Sequence, residues 1–182
     1  MAVVGFGNSA LETSVGGNAS EQSLQAMYLQ ISGCPGSSTD SDHKGWSDVE
    51  SCSWGVSQST SAHTGTGFGV GKANFHHVEI VKPIDKASPN LMQYCASGKH
   101  VDKAVLSICK VGGGQKEYVN VELRGVFIAG VSLVSNTASP YVKEKMLLSF
   151  KSIRIQHKDQ DASGSMGAAV TAAWDVEKNV QA

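Results

Sequence analysis

The chain is predicted to be mainly β, an antiparallel barrel or sandwich with one short flanking α-helix. Three observations carry that prediction. Apolar and polar residues alternate with a period of two in several short segments, turn-forming residues separate those segments at short intervals, and a single stretch carries paired helix start and stop signals. The length of 182 residues suits one compact domain.

Gly5 to Ser23 is rich in Gly, Ser, Asn and Ala and holds few large apolar residues, so residues 1–25 read as an N-terminal arm and residues 26–182 as the β domain. In the first strand Met27, Leu29 and Ile31 alternate with Tyr28 and Gln30. Cys34 to Asp42 gathers Pro, Gly, Ser, Thr and Asp and reads as a loop. Val49 to Gln58 is a second extended stretch, with Glu50, Cys52, Trp54 and Val56 on one parity and Val49, Ser51, Ser53 and Gly55 on the other. Ser59 to Gly71, with Gly65, Gly67, Gly69 and Gly71 and one large apolar residue, Phe68, reads as a long projecting loop. Further strands are predicted at Asn74 to Val81, Ala104 to Val111, Glu117 to Phe127, Lys145 to Ile155 and Val170 to Val176. Between them lies the helix. Ser88 is a suitable N-cap, Pro89 occupies the first helical position where a missing N–H costs nothing, Leu91, Met92 and Cys95 form the apolar stripe, and Gly98 ends it. Trp54 and Trp174, within alternating strands, read as core residues.

Composition narrows the function. Fifteen Lys and Arg nearly cancel 16 Asp and Glu, giving a net charge of −1, so the basic excess that phosphate neutralisation requires is missing and a nucleic-acid partner is disfavoured. No run approaches the roughly 18 apolar residues of a membrane span, and the mean hydropathy is −0.13. Residues 1–17 lack a basic n-region and an unbroken apolar core, so no general secretory signal is expected. Charged residues make up 17% of the chain, below the average of about 25%. Low charge promotes association, and the chain is expected to live in an assembly.

No motif points to catalysis, a cofactor or a metal. Cys34, Cys52, Cys95 and Cys109 lack metal-site spacing and read as free thiols. The glycines from Gly65 to Gly71 miss the dinucleotide pattern because Val70 stands where its third glycine belongs, and Thr66 and Ala73 break the phosphate-loop pattern around Gly71-Lys72. His76 and His77 are adjacent and would point to opposite faces of a strand. His63 and His100 could pair with a serine in space, but no G-x-S-x-G elbow nominates one. Asp40 and Asp42, like Asp159 and Asp161, read as solvated turns without the glycine and glutamate of a calcium loop.

The ordered landmarks Cys52-Ser53-Trp54-Gly55-Val56-Ser57-Gln58, the glycine-studded loop to Gly71-Lys72, Ile84-Asp85-Lys86, Ser88-Pro89-Asn90-Leu91-Met92, Ser97-Gly98-Lys99-His100 and the ending Trp174-Asp175 to Asn179-Val180-Gln181-Ala182 strongly resemble the haemolysin-coregulated proteins, Hcp, of bacterial type VI secretion. The resemblance runs from about Met27 to the C-terminus. It implies a fold similar to phage tail tube proteins, homohexameric rings stacked into the inner tube of a contractile machine, and effector proteins carried or chaperoned in the lumen. A spike protein at the tube tip and a sheath around the tube are the further partners implied, without membrane insertion. The same resemblance implies residence in the bacterial cytoplasm before firing and release outside or into a target cell afterwards. By resemblance, Ser53 is a lumen-facing candidate. Ser59, Thr60, Gly65, Gly67, Phe68, Gly69, Gly71 and Lys72 are candidates for a ring-stacking loop, and Ser88, Pro89, Asn90, Leu91 and Gly98 for the exterior helix.

Three departures touch local contacts: the residues before Met27 extend beyond typical members, Cys52 stands where relatives often have a second tryptophan, and Gly36-Ser37-Ser38 replaces Gly-Glu-Ser. No toxin domain is expected after Ala182. The competing readings are a monomeric β-barrel that binds a small ligand and, less favoured, a cytosolic hydrolase built around His63 or His100.

Overall fold

The computed structural model describes residues 25–61, 69–111, 115–135, 140–160 and 165–182. The arm expected over residues 1–25 lies outside them except for Gln25, the first residue of strand β1 (Gln25–Ile31).

The longest strand, β8 (Lys116–Val134), organises the sheet. Its first half lies between β7 (His100–Lys110) and β10 (Ser152–Gln160), and its second half pairs with β9 (Lys143–Ser149). The partner changes around Gly125, which takes φ 58°, a conformation that Cβ-bearing residues rarely adopt. From β9 the sheet continues to β6 (Val78–Pro83) and then β3 (Ser51–Ser53). In the other direction β7 pairs with β1, and β1 with β2 (Ser47–Val49). Beyond β10 lie β11 (Met166–Asp175) and β12 (Val180–Gln181). A separate two-stranded ribbon is formed by β4 (Val56–Ser61) and β5 (Gly69–Phe75). All pairings are antiparallel.

The predicted class therefore holds, as an open sheet wrapped around one core rather than a closed barrel. Strands β2 and β3 follow one another through Glu50, whose N–H donates to the Val81 carbonyl, and do not pair with each other. Several predicted strands are divided for the same reason, that the sheet must turn corners. Val49 to Gln58 becomes β2, β3 and the start of β4, Asn74 to Val81 becomes the end of β5 and most of β6, and Lys145 to Ile155 becomes β9 and β10. The predicted Glu117 to Phe127 instead runs on to Val134, and the stretch read as a loop from Ser59 contains paired ends of the ribbon.

The core follows from strand alternation. In β6 the buried parity is Val78, Ile80 and Lys82, and in β9 it is Glu144, Met146 and Leu148. Ile80, Leu91, Val126, Ile128, Met146 and Leu148 are all essentially inaccessible to solvent. Filling the interior with these side chains leaves the ligand-holding barrel unfavoured.

Helix α1 (Ser88–Ser97) ends as predicted, at Gly98 with φ 67°, whose N–H donates to Cys95. Its start differs from expectation: the N-cap is Ala87, and Asp85 Oδ1 accepts the Ala87 N–H at 2.9 Å. Ser88 is buried and serves a different purpose. Met92 is 58% exposed rather than part of the buried stripe, which Leu91 supplies. Trp54 is likewise 38% exposed, a correction to its core assignment, because the chain breaks from sheet to ribbon at Trp54-Gly55.

The alternation that buries Ile80 and Met146 also buries a charge cluster. Lys82 Nζ lies 2.7 Å from both Asp85 Oδ1 and Glu144 Oε1, with Lys82 and Glu144 essentially without solvent exposure. Ser88 Oγ donates to Glu144 Oε1 at 2.7 Å and accepts the Asp85 N–H at 3.0 Å. Strands β6 and β9 and the helix entrance are thus joined at one ammonium. Removing one partner strands the others in a low-dielectric interior, which is costlier than the pair itself is stabilising. Lys82→Met is expected to lose about 3–5 kcal/mol of unfolding free energy in denaturant titrations, and Lys82→Met with Glu144→Leu to recover part of it.

A candidate assembly surface

Of the small, hydroxylated parity predicted for Val49 to Gln58, Ser51 and Ser53 are exposed, whereas Val49 is buried in the core. Ser53 and Ser51 point away from the core, while Cys52 packs partly against it beside Met27. Across the sheet Ser53 is opposite Glu79 and Ser51 opposite Val81, and these in turn face Leu147 and Lys145. The charges on this face are paired: Lys145 Nζ lies 2.7 Å from Glu79 Oε2, and Lys143 Nζ 2.6 Å from Glu50 Oε2. Hydrogen bonding to Glu50 holds the Lys143 ammonium above its ordinary pKa. Around Ser53 the surface therefore has short side chains and little unbalanced charge.

Of the residues assigned by resemblance to a stacking loop, Ser59 and Thr60 fall in β4, and Gly69, Gly71 and Lys72 in β5. The ribbon is pinned by Ser57 Oγ against His76 Nε2 at 3.3 Å and by Gln58 Nε2 donating to the Gly71 carbonyl. Gly71 and Lys72 are exposed. Gly65, Gly67 and Phe68 lie outside the described residues, as does His63. Of the helix residues, Pro89 and Asn90 are exposed, whereas Leu91 and Ser88 face inward.

Two surface features escaped the sequence reading. Between the ribbon base and the β10–β11 pair lies an apolar groove of about 160 Å³, lined by Trp54, Val56, Phe75, Ile155, Ala172 and Trp174 among others. Strand β11 is a long edge: from Gly167 to Ala172 its residues are exposed, and β12 pairs with it only at Trp174 and Asp175. Edge strands are templates for another strand. The alternation of Val170, Ala172 and Trp174 was legible in the sequence, but that β12 pairs with only the last residues of β11 was not.

A nucleophile–base pair is present but sealed. His43 Nδ1 lies 2.8 Å from Asp40 Oδ1 and His43 Nε2 3.1 Å from Ser107 Oγ. Ser107 is 0% exposed and its hydroxyl is 2.6 Å from Glu117 Oε2, so no substrate can reach it. Asp40 is accordingly no mere solvated turn. It accepts the N–H groups of Asp42 and His43 as well as the ring, and this hydrogen bonding, led by His43, lowers its pKa. The Asp-x-x-His spacing was visible in the loop, but its partner Ser107 is 64 residues away from His43. His100 packs edge-on to Phe127 instead. Burial pushes the thiols of Cys34, Cys52 and Cys109 up, and all four cysteines are free.

A wrapped antiparallel sheet with an open edge and a separate two-stranded ribbon is the construction of a subunit with surface left to pack against others. Comparison with known proteins gives that class a family. Residues 28–157 match the family described as type VI secretion system effector, Hcp; the chain belongs to the Hcp family and is a tube and effector protein of type VI secretion. It is 39% identical over 158 residues to Hcp1 of Pseudomonas aeruginosa, covering 86% of this chain and 98% of that one. The crystal structure of Hcp1 from Salmonella typhimurium superposes with a TM-score of 0.74 at 30% identity, over 87% of this chain and 99% of that one. A further type VI secretion protein structure, at 23% identity, shares the fold with a TM-score of 0.82 over 86% of this chain and 99% of that one.

The depressed pKa of Asp40 fixes a sign. Its interactions stabilise the fold above about pH 4, the ordinary carboxylate range, and are lost as pH falls through its lower folded-state value. Acid titration of the melting temperature should therefore be shallower for Asp40→Asn than for the unsubstituted protein below about pH 4.

Proposed function

We propose that the chain assembles as a homohexameric ring, that the rings stack into the secretion tube, and that effector proteins ride in the lumen against the face containing Ser53. The observation that carries this reading is the uncovered edge of β11, an interaction surface left open within the subunit. A ring that closes laterally and repeats axially needs heterologous contacts, in which different patches of the same subunit meet. The exposed apolar residues Leu133, Val134, Tyr141 and Val142 at the β8–β9 end supply a second patch away from β11. The paired charges beside Ser53 suit a lumen through which cargo must slide without a strongly charged wall.

In this reading the ribbon formed by β4 and β5 bridges adjacent rings, and its segment of 65–71 is the axial contact. The protein resides in the bacterial cytoplasm until firing and leaves with the tube, sheath outside and spike ahead.

Negative-stain microscopy and analytical ultracentrifugation test the assembly directly: rings of six are expected, and monomers at every concentration would overturn it. Deleting residues 65–71 should leave rings intact but reduce stacking and secretion, whereas loss of the ring itself would contradict the axial assignment. Ser53→Arg should keep ring formation and lower effector co-purification by about tenfold, a total loss of roughly 1.4 kcal/mol of binding free energy.

A further inference from the structure

On the face of the sheet opposite the core, strands β8 and β10 carry the only two arginines of the chain, Arg124 and Arg154. In the β8–β10 register Arg124 lies opposite Ser152 and Arg154 opposite Glu122, which makes the two arginines diagonal neighbours on one face. Diagonal neighbours in an antiparallel pair are roughly 7–8 Å apart, close enough for two long side chains to reach one small group. On its other flank Arg154 is opposite Ala173, whose methyl leaves room beside it, and Gln156 is opposite Thr171. The result is a cavity of about 320 Å³ lined by Arg124, Ser152, Arg154, Thr171 and Gln181 among others.

The wall of this cavity holds more donors than acceptors. Arg124 engages Glu122 Oε1 through Nε alone, at 2.7 Å, so its two terminal nitrogens keep their protons available. Among the described residues the Arg154 guanidinium has no ion pair and no hydrogen bond. Thr171 Oγ1 accepts from Gln156 Nε2 at 3.3 Å, which leaves its own proton to donate. Lys103 of β7 lies directly opposite Arg124 on the same face, a placement of like charges that costs stability unless an anion offsets it. The anions at the wall are Glu122 and the carboxylate of Ala182, whose N–H donates to the Ala173 carbonyl at 3.3 Å. Neither forms an ion pair with Arg154.

We propose that this cavity binds a phosphate group, as the free anion or as the monoester of a small organic molecule, held by Arg124 and Arg154 with the Ser152 and Thr171 hydroxyls completing the shell. The planar fork of an arginine matches two oxygens of an oxyanion. Two forks and two hydroxyls offer more donors than the two oxygens of a carboxylate can use, whereas a tetrahedral phosphate meets donors that arrive from three strands. The cavity is larger than the bare anion, and the organic part of an ester fits over the small side chain of Ala173. A polyanion needs the basic excess that this chain lacks, but a single phosphate asks only for the local excess of Lys103, Arg124 and Arg154.

Calorimetric titration of the full-length protein with inorganic phosphate and with phenyl phosphate tests the site, at fixed ionic strength so that screening does not mimic binding. Saturable binding with a dissociation constant of about 1 mM or below is expected. Arg154→Gln should weaken it by about tenfold or more, and Arg154→Lys, which keeps the charge but loses the fork, should weaken it as well. Lys44→Gln removes an exposed cation outside the cavity and should leave binding unchanged. Arg154 is exposed and unpartnered, so its variants are expected to melt with the unsubstituted protein, and Thr171→Ala supplies an independent probe of the same shell. Tighter binding of phenyl phosphate identifies a monoester as the ligand, and equal affinity the free anion. No saturation up to about 10 mM overturns the proposal and leaves the cavity to the Ala182 carboxylate. Undiminished binding by folded Arg154→Gln, an equal loss in Lys44→Gln, or benzoate binding as tight as that of phenyl phosphate overturns it too.

Discussion

Everything the subunit presents at its surface depends on how one buried ammonium is neutralised. Lys82 is drawn into the core by the same two-residue period that buries Val78 and Ile80, and it stays there because Asp85 and Glu144 both come within 2.7 Å. A charge that deep would otherwise cost several kcal/mol, so its partners must arrive together with the core. Glu144 brings β9, Asp85 and Ser88 bring the start of α1, and the helix then closes over the sheet with Leu91 inward. Such a cluster adds little net stability compared with apolar residues of the same volume. What it does is penalise any register of β6 against β9 other than Val78 opposite Leu148 and Lys82 opposite Glu144, since a slip would leave a charge alone.

A second polar centre works on the opposite side of the sheet. Asp40, His43, Ser107 and Glu117 link the segment after β1 to β7 and β8, and their order resembles a hydrolytic triad without its accessibility. The contrast matters for function. The same three side-chain types serve as catalyst or as mortar according to whether the hydroxyl meets solvent, and Ser107 does not. The two centres lie on opposite faces of the sheet, so the fold is tied down from both.

With the interior so constrained, the remaining freedom lies at edges and ends. Strand β11 runs exposed beyond the core, the ribbon stands apart from the ten-stranded sheet, and aliphatic side chains remain uncovered at the β8–β9 end. A solitary soluble subunit would blunt such an edge with charge, yet Gly167 to Ala173 carries none. The proposed ring assembly makes sense of that economy: with flanks and ends covered by copies of the subunit, charge would be needed on less of the surface.

The alternation of Met27, Leu29 and Ile31, the Pro89 to Gly98 helix and the ordered landmarks around Cys52 to Gln58 and Ser88 to His100 were enough to establish the fold class and the family, because period, capping and short motifs are local properties of a chain. Other features were decided only in three dimensions. Trp54 and Met92 turned outward, Ser88 gave up its cap to bond Glu144, and Asp40 joined a histidine whose serine partner lies on another strand. The parity of Val78 and Ile80, and of Met146 and Leu148, puts Lys82 and Glu144 on the inward face, but that the two meet there as a pair rather than sit as solvated charges was not legible in sequence. Burial and pairing depend on which distant residues meet, and a sheet that wraps, changes partners around Gly125 and leaves most of one edge of β11 open settles those meetings only once all its strands are in register.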